Sequence, residues 1–159
     1  AFSLNKISSL SQLQDEILKN LPSYNYLFAF IIKAQVNNIA LGSVRKQQKP
    51  YRLISEVIEE SILINTGKLE ANIVGFYAPT FMYPLKSSGL HLHFVDYSVG
   101  VGGHVLDIDL IHAEIYWQQL NSFNLILPQN EDYKSAIINS ESEARVPVFS
   151  DRIQQRQKQ

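Results

Sequence analysis

The sequence predicts an α+β chain, mainly antiparallel β, with about eight strands and two or three short helices. Two observations carry this. Runs rich in β-branched and aromatic residues recur at 26–35, 39–44, 61–65, 69–77 and 89–94. Short polar breaks, Val36-Asn37-Asn38 and Thr66-Gly67-Lys68, separate consecutive runs and read as hairpin turns.

Residues 1–8 open irregularly. Ser9-Leu10-Ser11-Gln12 then reads as a capping box, with Ser9 as cap and Gln12 reaching back. Leu10, Leu13, Ile17, Leu18 and Leu21 follow at helical spacing, and Pro22 closes the helix. Tyr26–Gln35 and Ile39–Val44 read as the two arms of a hairpin. Arg45-Lys46-Gln47-Gln48-Lys49 is a basic loop. Pro50–Glu60 reads as a short helix with Pro at its start and Leu53, Val57 and Ile58 inward. Strands follow at Ser61–Asn65 and Leu69–Tyr77. The loop 78–88 then brings Phe81, Met82 and Tyr83, either pocket wall or core. Three more strands are expected at His104–Leu110, Ile111–Gln119 and Ser122–Leu127. Residues 128–138 read as a short helix or loop, and the chain is polar from Asn139 onward.

Composition narrows the function classes. At 159 residues with 45% apolar content, the chain can bury a core of its own. A net charge of −1 gives no electrostatic reason for nucleic acid or an anionic membrane as partner. The absence of cysteine excludes disulfides and any thiolate metal site. No apolar run reaches the ~18 residues of a membrane span, and no signal peptide is visible, so a cytoplasmic location is the default expectation.

The chemistry gathers in Gly89-Leu90-His91-Leu92-His93-Phe94 and Gly102-Gly103-His104-Val105-Leu106-Asp107, which hold three of the four histidines. On a strand, His91 and His93 share a face and leave Leu90, Leu92 and Phe94 on the other. The seven residues 95–101 are enough for a turn that returns His104 on a neighbouring strand. Gly102-Gly103 lets backbone pass close to another element. Three neutral imidazoles with one open position are the donor set of a catalytic zinc site. Spacing alone leaves both that reading and a set of ordinary histidines open. His104 shares alternation parity with Leu106, Ile108 and Leu110, which would turn it toward an apolar interior, in the mouth of a small barrel. His112 reads as structural. Asp107 and Asp109 point away from His104 on a regular strand and receive no role at the site.

These motifs resemble those of the α-acetolactate decarboxylase family. The resemblance takes in Gly75-Phe76-Tyr77-Ala78-Pro79 and the two histidine motifs. Upstream it includes Leu21-Pro22-Ser23, Asn25, Ser43-Val44, Gln47 and Lys49-Pro50-Tyr51, and downstream Leu127-Pro128. It runs in order over residues 1–136. It implies that His91, His93 and His104 ligate zinc, and that the chemistry is decarboxylation of 2-acetolactate to acetoin. It further implies a small barrel-like sheet carrying the zinc site, and a second sheet extended across a homodimer. Residues 1–60 would be the remainder of an N-terminal α/β sheet domain, 61–128 the zinc-binding β domain and 129–159 a polar tail.

The family carries a segment before the point matched by Ala1, so a fragment or a natural truncation is expected. That segment supplies one active-site glutamate. The other family glutamate belongs where this sequence diverges, and Glu141, Glu143 and Asp151 are the nearby acids. The family's substrate-carboxylate arginine precedes the Ser/Thr-Val pair, a position that here is Gly42. Arg45, three residues on, is the candidate substitute, although that offset reverses the face on a regular strand. The alternative is therefore a divergent zinc-binding relative without this activity, binding a small hydroxy-keto acid or serving as an interaction module.

Overall fold

The computed structural model describes residues 1–52, 54–82, 88–98 and 100–135. Among these lie six strands: β1 (Phe2–Ile7), β2 (Leu27–Ser43), β3 (Ile62–Asn65), β4 (Leu69–Ala78), β5 (Gly89–Asp96) and β6 (Val101–Leu120). Three short α-helices accompany them: α1 (Leu10–Lys19), α2 (Ile54–Glu59) and α3 (Glu131–Ser135). The strands form one sheet in the order β1-β6-β5-β4-β2-β3, with β6 also paired to β2. Every pairing is antiparallel. Because β2, β4, β5 and β6 pair in a cycle, the sheet closes on itself as a small barrel, and β1 and β3 extend it at the margins.

β2 and β6 differ most from the sequence expectation. Val36-Asn37-Asn38 is not a turn. β2 is one strand of 17 residues and β6 one of 20, paired from Leu27↔Leu120 to Gly42↔His104. The irregularity appears instead as register shifts between Gln35 and Val36 and between Val36 and Asn38. Such bulges bend a strand and reset its alternation. Phe28, Phe30, Ile32, Ala34 and Val36 are buried before the shift, and Ile39 and Leu41 after it. The inner face therefore stays apolar although the parity changes. The asparagine side chains brace the bend. Asn37 Nδ2 donates to Asp109 Oδ1 at 3.1 Å, and Asn38 Nδ2 to Asn65 Oδ1 at 3.1 Å. These are turn-forming residues, but β6 pairs with β2 on both sides of them, so the ladder keeps the chain extended.

Three further expectations are corrected. Residues 2–7 are strand, paired to β6 from Phe2↔Ile115 to Ile7↔Leu110. Residues 104–119 are a single strand, not two. Residues 122–127 form no strand, and Phe123, Leu125, Ile126 and Leu127 are exposed. Leu53, Tyr83, Glu141, Glu143 and Asp151 lie outside the described residues.

Helix α1 packs its apolar face into the core of the sheet. Leu13 and Ile17 are fully buried and join Leu21 in the same core cluster as Phe28, Ile32, Leu92 and Ile115. Ser9 caps it, its Oγ accepting from Gln12 N at 3.1 Å, while Gln12 Oε1 accepts from Ser8 N at 2.9 Å, one residue earlier than a capping box requires. β1 and β2 belong to the same sheet as β4, β5 and β6, so residues before and after position 60 share this core.

Candidate metal centre

Two neighbouring strands supply the three histidines. On β5, Leu92 and Phe94 are buried, and His91 and His93 occupy the opposite face. The connection to β6 is fixed by Asp96, whose Oδ1 accepts from Ser98 N at 2.8 Å and from Ser98 Oγ at 2.6 Å, and by Gly100 at φ 66°. The returning strand sets His104 directly opposite His93. Directly opposed residues of an antiparallel pair share a face. All three imidazoles therefore stand together, and a ligand nitrogen from each lies within 4.8 Å of the others. Nε2 of His91 and Nε2 of His93 are 3.1 Å apart, and the His91–His104 ring centroids are 4.5 Å apart. Zinc–nitrogen bonds of about 2.0–2.1 Å in a tetrahedron separate the nitrogens by roughly 3.3 Å. The His91–His93 nitrogen separation is close to that value, and the three-imidazole set fits such an ion.

The face is not the one alternation predicted. Ala40 pairs with Asp107 but Leu41 with Val105, so β6 carries a bulge at Leu106. Parity breaks there. Val105 and Ile108 are both in the core cluster, and His104 stands on the other side. The histidines thus occupy the outer face of the closed sheet and not its interior. His91 and His104 are half-buried and His93 is exposed.

Glycines allow this close approach. A Cβ at Gly103 would lie 2.8 Å from Gly42 O, and one at Gly102 would lie 3.0 Å from Phe94 O. The Gly-Gly pair before His104 therefore does what its sequence suggested. Gly75 on β4 is tighter still, its Cβ position being 2.1 Å from His91 O. His104 is lowered from its ordinary value to about 4, first by burial and then by the neighbouring His91 and His93. It is neutral at physiological pH, as a metal ligand must be.

The lateral neighbours of the site define its surroundings. His93 is opposite Val74, and His91 is opposite Phe76, on β4. Val74 and Phe76 are 49% and 46% exposed, so an apolar strip borders the imidazoles. On the other side, His104 pairs with Gly42, and Gly42 with Leu63. The position at which the resemblance places an arginine is thus a direct neighbour of the histidine cluster, and it carries no side chain. Arg45 is exposed, two residues past the end of β2, and its carbonyl accepts from Gln47 Nε2 at 3.2 Å. His112 is apart from the cluster, with Nδ1 2.8 Å from Asn5 Oδ1. Asp109 holds the bend of β2 through Asn37, and Asp107 accepts from the backbone of α1.

Sequence reasoning missed Val74, Phe76 and Gln14. For the first two a signal existed: Ile73-Val74-Gly75-Phe76-Tyr77 is apolar on both faces, more than a one-sided strand needs. Gln14, whose Oε1 accepts from Leu90 N at 2.8 Å, carries no sequence signal of its role.

A profile of the alpha-acetolactate decarboxylase family matches residues 1–140. The chain belongs to the alpha-acetolactate decarboxylase family. Among curated relatives, the alpha-acetolactate decarboxylase of Methanosarcina mazei is 29% identical over 135 residues, covering 85% of this chain and 47% of the relative. That of Bacillus subtilis is 32% identical over 127 residues, covering 80% and 50%. The crystal structure of the alpha-acetolactate decarboxylase from Bacillus subtilis strain 168 superposes with a TM-score of 0.85 at 28% identity, over 94% of this chain and 64% of that one. The chain spans about half the length of the curated relatives it matches. Among the described residues, no helix is long and apolar enough to cross a membrane.

Proposed function

We propose that this chain carries the metal centre of a zinc-dependent decarboxylation of 2-acetolactate to acetoin, with His91, His93 and His104 as the zinc ligands. The observation that carries the reading is the convergence of three imidazole nitrogens within 4.8 Å in a member of this family. An all-imidazole donor set suits zinc better than a hard cation such as magnesium or calcium. Bound zinc would supply Lewis-acid stabilisation of the charge left on the substrate oxygens as carbon dioxide departs. The chain's own residues do the rest. Two ligands would come from β5 and one from β6, on the outer face of the sheet. Val74 and Phe76 border the histidines on the β4 side with apolar surface. Arg45 is the nearest basic residue in sequence to the bare position 42 and is the candidate partner for the substrate carboxylate. In this reading residues 61–128 are the zinc-binding region, and the functional unit is a cytoplasmic homodimer.

A second reading is favoured by one specific observation. Gly42 lies directly opposite His104, where a cation for the substrate carboxylate is expected by resemblance. A relative that keeps the metal but not this reaction would have this composition, and would bind a small hydroxy-keto acid or serve as an interaction module. The deciding experiment is acetoin release from racemic 2-acetolactate by zinc-loaded protein, corrected for spontaneous decarboxylation. Turnover above that background supports the decarboxylase reading. Stoichiometric zinc without turnover means either the second reading or a need for the family's upstream segment, which supplies one active-site glutamate.

A further inference from the structure

Side-chain hydrogen bonds tie helix α1 to both histidine strands. Gln14, in the middle of the helix, accepts at Oε1 from Leu90 N at 2.8 Å, one residue before His91. Asp107, three residues after His104, accepts at Oδ1 from Leu10 N, the first residue of α1, at 2.8 Å. The same oxygen takes Ile108 N at 3.0 Å. A carboxylate at a helix N-terminus is favoured by the helix dipole, so this link is charge-assisted. At the other link the backbone is shaped to the contact. Gly89 has φ +88°, and a Cβ there would lie 3.0 Å from Gln14 Oε1. The two anchors fall on opposite sides of the cluster in the chain, with β5 held just before its histidines and β6 just after its own. Beneath them, Leu13 and Ile17 fix the helix in the core.

We infer that α1 is a brace for the metal centre, with Gln14 and Asp107 as positioning residues that set the spacing between the β5 and β6 ligands. The inference rests on the metal-site reading above. Neither residue touches the ion; Gln14 acts through the backbone next to His91, and Asp107 ties β6 to the helix three residues after His104. Three ligands from two strands hold an ion tightly only when the strands cannot shift against each other. Loss of a partner bonded directly to a ligand costs about 10–100-fold in metal affinity, and anchors one step further out set the lower end of that range as the expectation.

The test is the zinc dissociation constant of the full chain, measured by competition with a chromophoric chelator, alongside the visible spectrum of the cobalt(II) form. Gln14→Ala and Asp107→Ala are expected to raise the constant by up to about 10-fold and to alter the cobalt spectrum. Gln14→Glu, which keeps an acceptor oxygen, is expected to retain most of the affinity. Ile17→Val, a core trim on the same helix that touches neither anchor, is expected to lower the melting temperature and leave the constant unchanged. Unchanged affinity and spectrum in both alanine variants would overturn the brace. So would an equal loss in Ile17→Val, because any loosening of the helix would then suffice. A parent chain that binds no zinc would overturn the metal reading and the brace with it. A parent that binds zinc beside alanine variants that bind equally well overturns the brace alone.

Discussion

His104 has two lateral neighbours, and they could hardly differ more. On the β5 side it faces His93, with His91 next to it, and the three nitrogens converge within 4.8 Å. On the β2 side it faces Gly42, and beyond that Leu63. One flank holds a complete donor set. The other offers only Gly42 and Leu63, neither charged nor polar. Holding a metal and receiving an anionic substrate would therefore be separable demands on this sheet, each falling on a different strand pair. The first has a candidate donor set in His91, His93 and His104, and the second has no side chain at position 42.

The largest effects should come from the complete flank. His91→Ala or His104→Ala leaves two ligands, and zinc affinity should fall by more than the roughly 100-fold upper range seen for outer partners. Metal analysis after dialysis, on protein purified without a histidine tag, checks this. If His91→Ala retains one zinc per chain, the contrast between the flanks disappears. The bare flank comes next. Gly42→Arg restores a cation opposite His104. If that cation limits the rate, decarboxylation should rise by about 10²–10³-fold, the range over which preorganised electrostatic groups act. Zinc content should be unchanged. An unaltered rate would place the limitation elsewhere, and Arg45→Ala then reports whether Arg45 already fills the role.

Backbone proximity gives a smaller effect that sharpens the same comparison. Gly75→Ala would bring a methyl to 2.1 Å from His91 O, so β4 and β5 must separate. Overpacking of this kind costs about 1–3 kcal/mol, measurable by denaturant unfolding. Zinc affinity should fall as well, because the displaced carbonyl belongs to a ligand. Gly67→Ala is the control, since its Cβ would meet nothing within 4 Å and its only strain is a positive φ of 72°. If the two variants behave alike, closeness to the histidine strand is not what distinguishes Gly75.

Much of this was legible in the sequence, and the failures have a common cause. The histidine pair, the return of His104 opposite His93, the Gly-Gly approach and the helix capped by Ser9 follow from local periodicity and turn chemistry, which short segments carry in full. The face of His104 did not follow. A bulge at Leu106 changes the parity, and only the β2 partner reveals it. Asn37 and Asn38 misled for the same reason, because their turn propensity is overridden by a ladder that continues along β6 on both sides. The closure of the sheet, the anchors from Gln14 and Asp107, and the adjacency of Gly42 to His104 all depend on pairings between distant segments. No local pattern encodes those.

The smallest effect concerns protons on the metal-free protein. His104 is lowered to about 4, by burial first and by His91 and His93 second, whereas an unfolded histidine titrates near 6.5. Between these values the unfolded chain binds a proton that the folded chain does not. Stability contributed by this group is therefore complete above pH ~6.5 and declines as pH falls toward about 4, below which both states are protonated and the slope vanishes. Partial solvent exposure keeps the effect modest. Urea midpoints of the apo protein across pH 4 to 7 should show this slope, and His104→Gln should flatten it. Gly42→Arg adds a second cation beside the ring, which disfavours the imidazolium further, so it should steepen the same slope. A slope unchanged by both substitutions would mean that the acid sensitivity arises away from the histidine cluster, and that the two flanks of His104 are not electrostatically coupled through it.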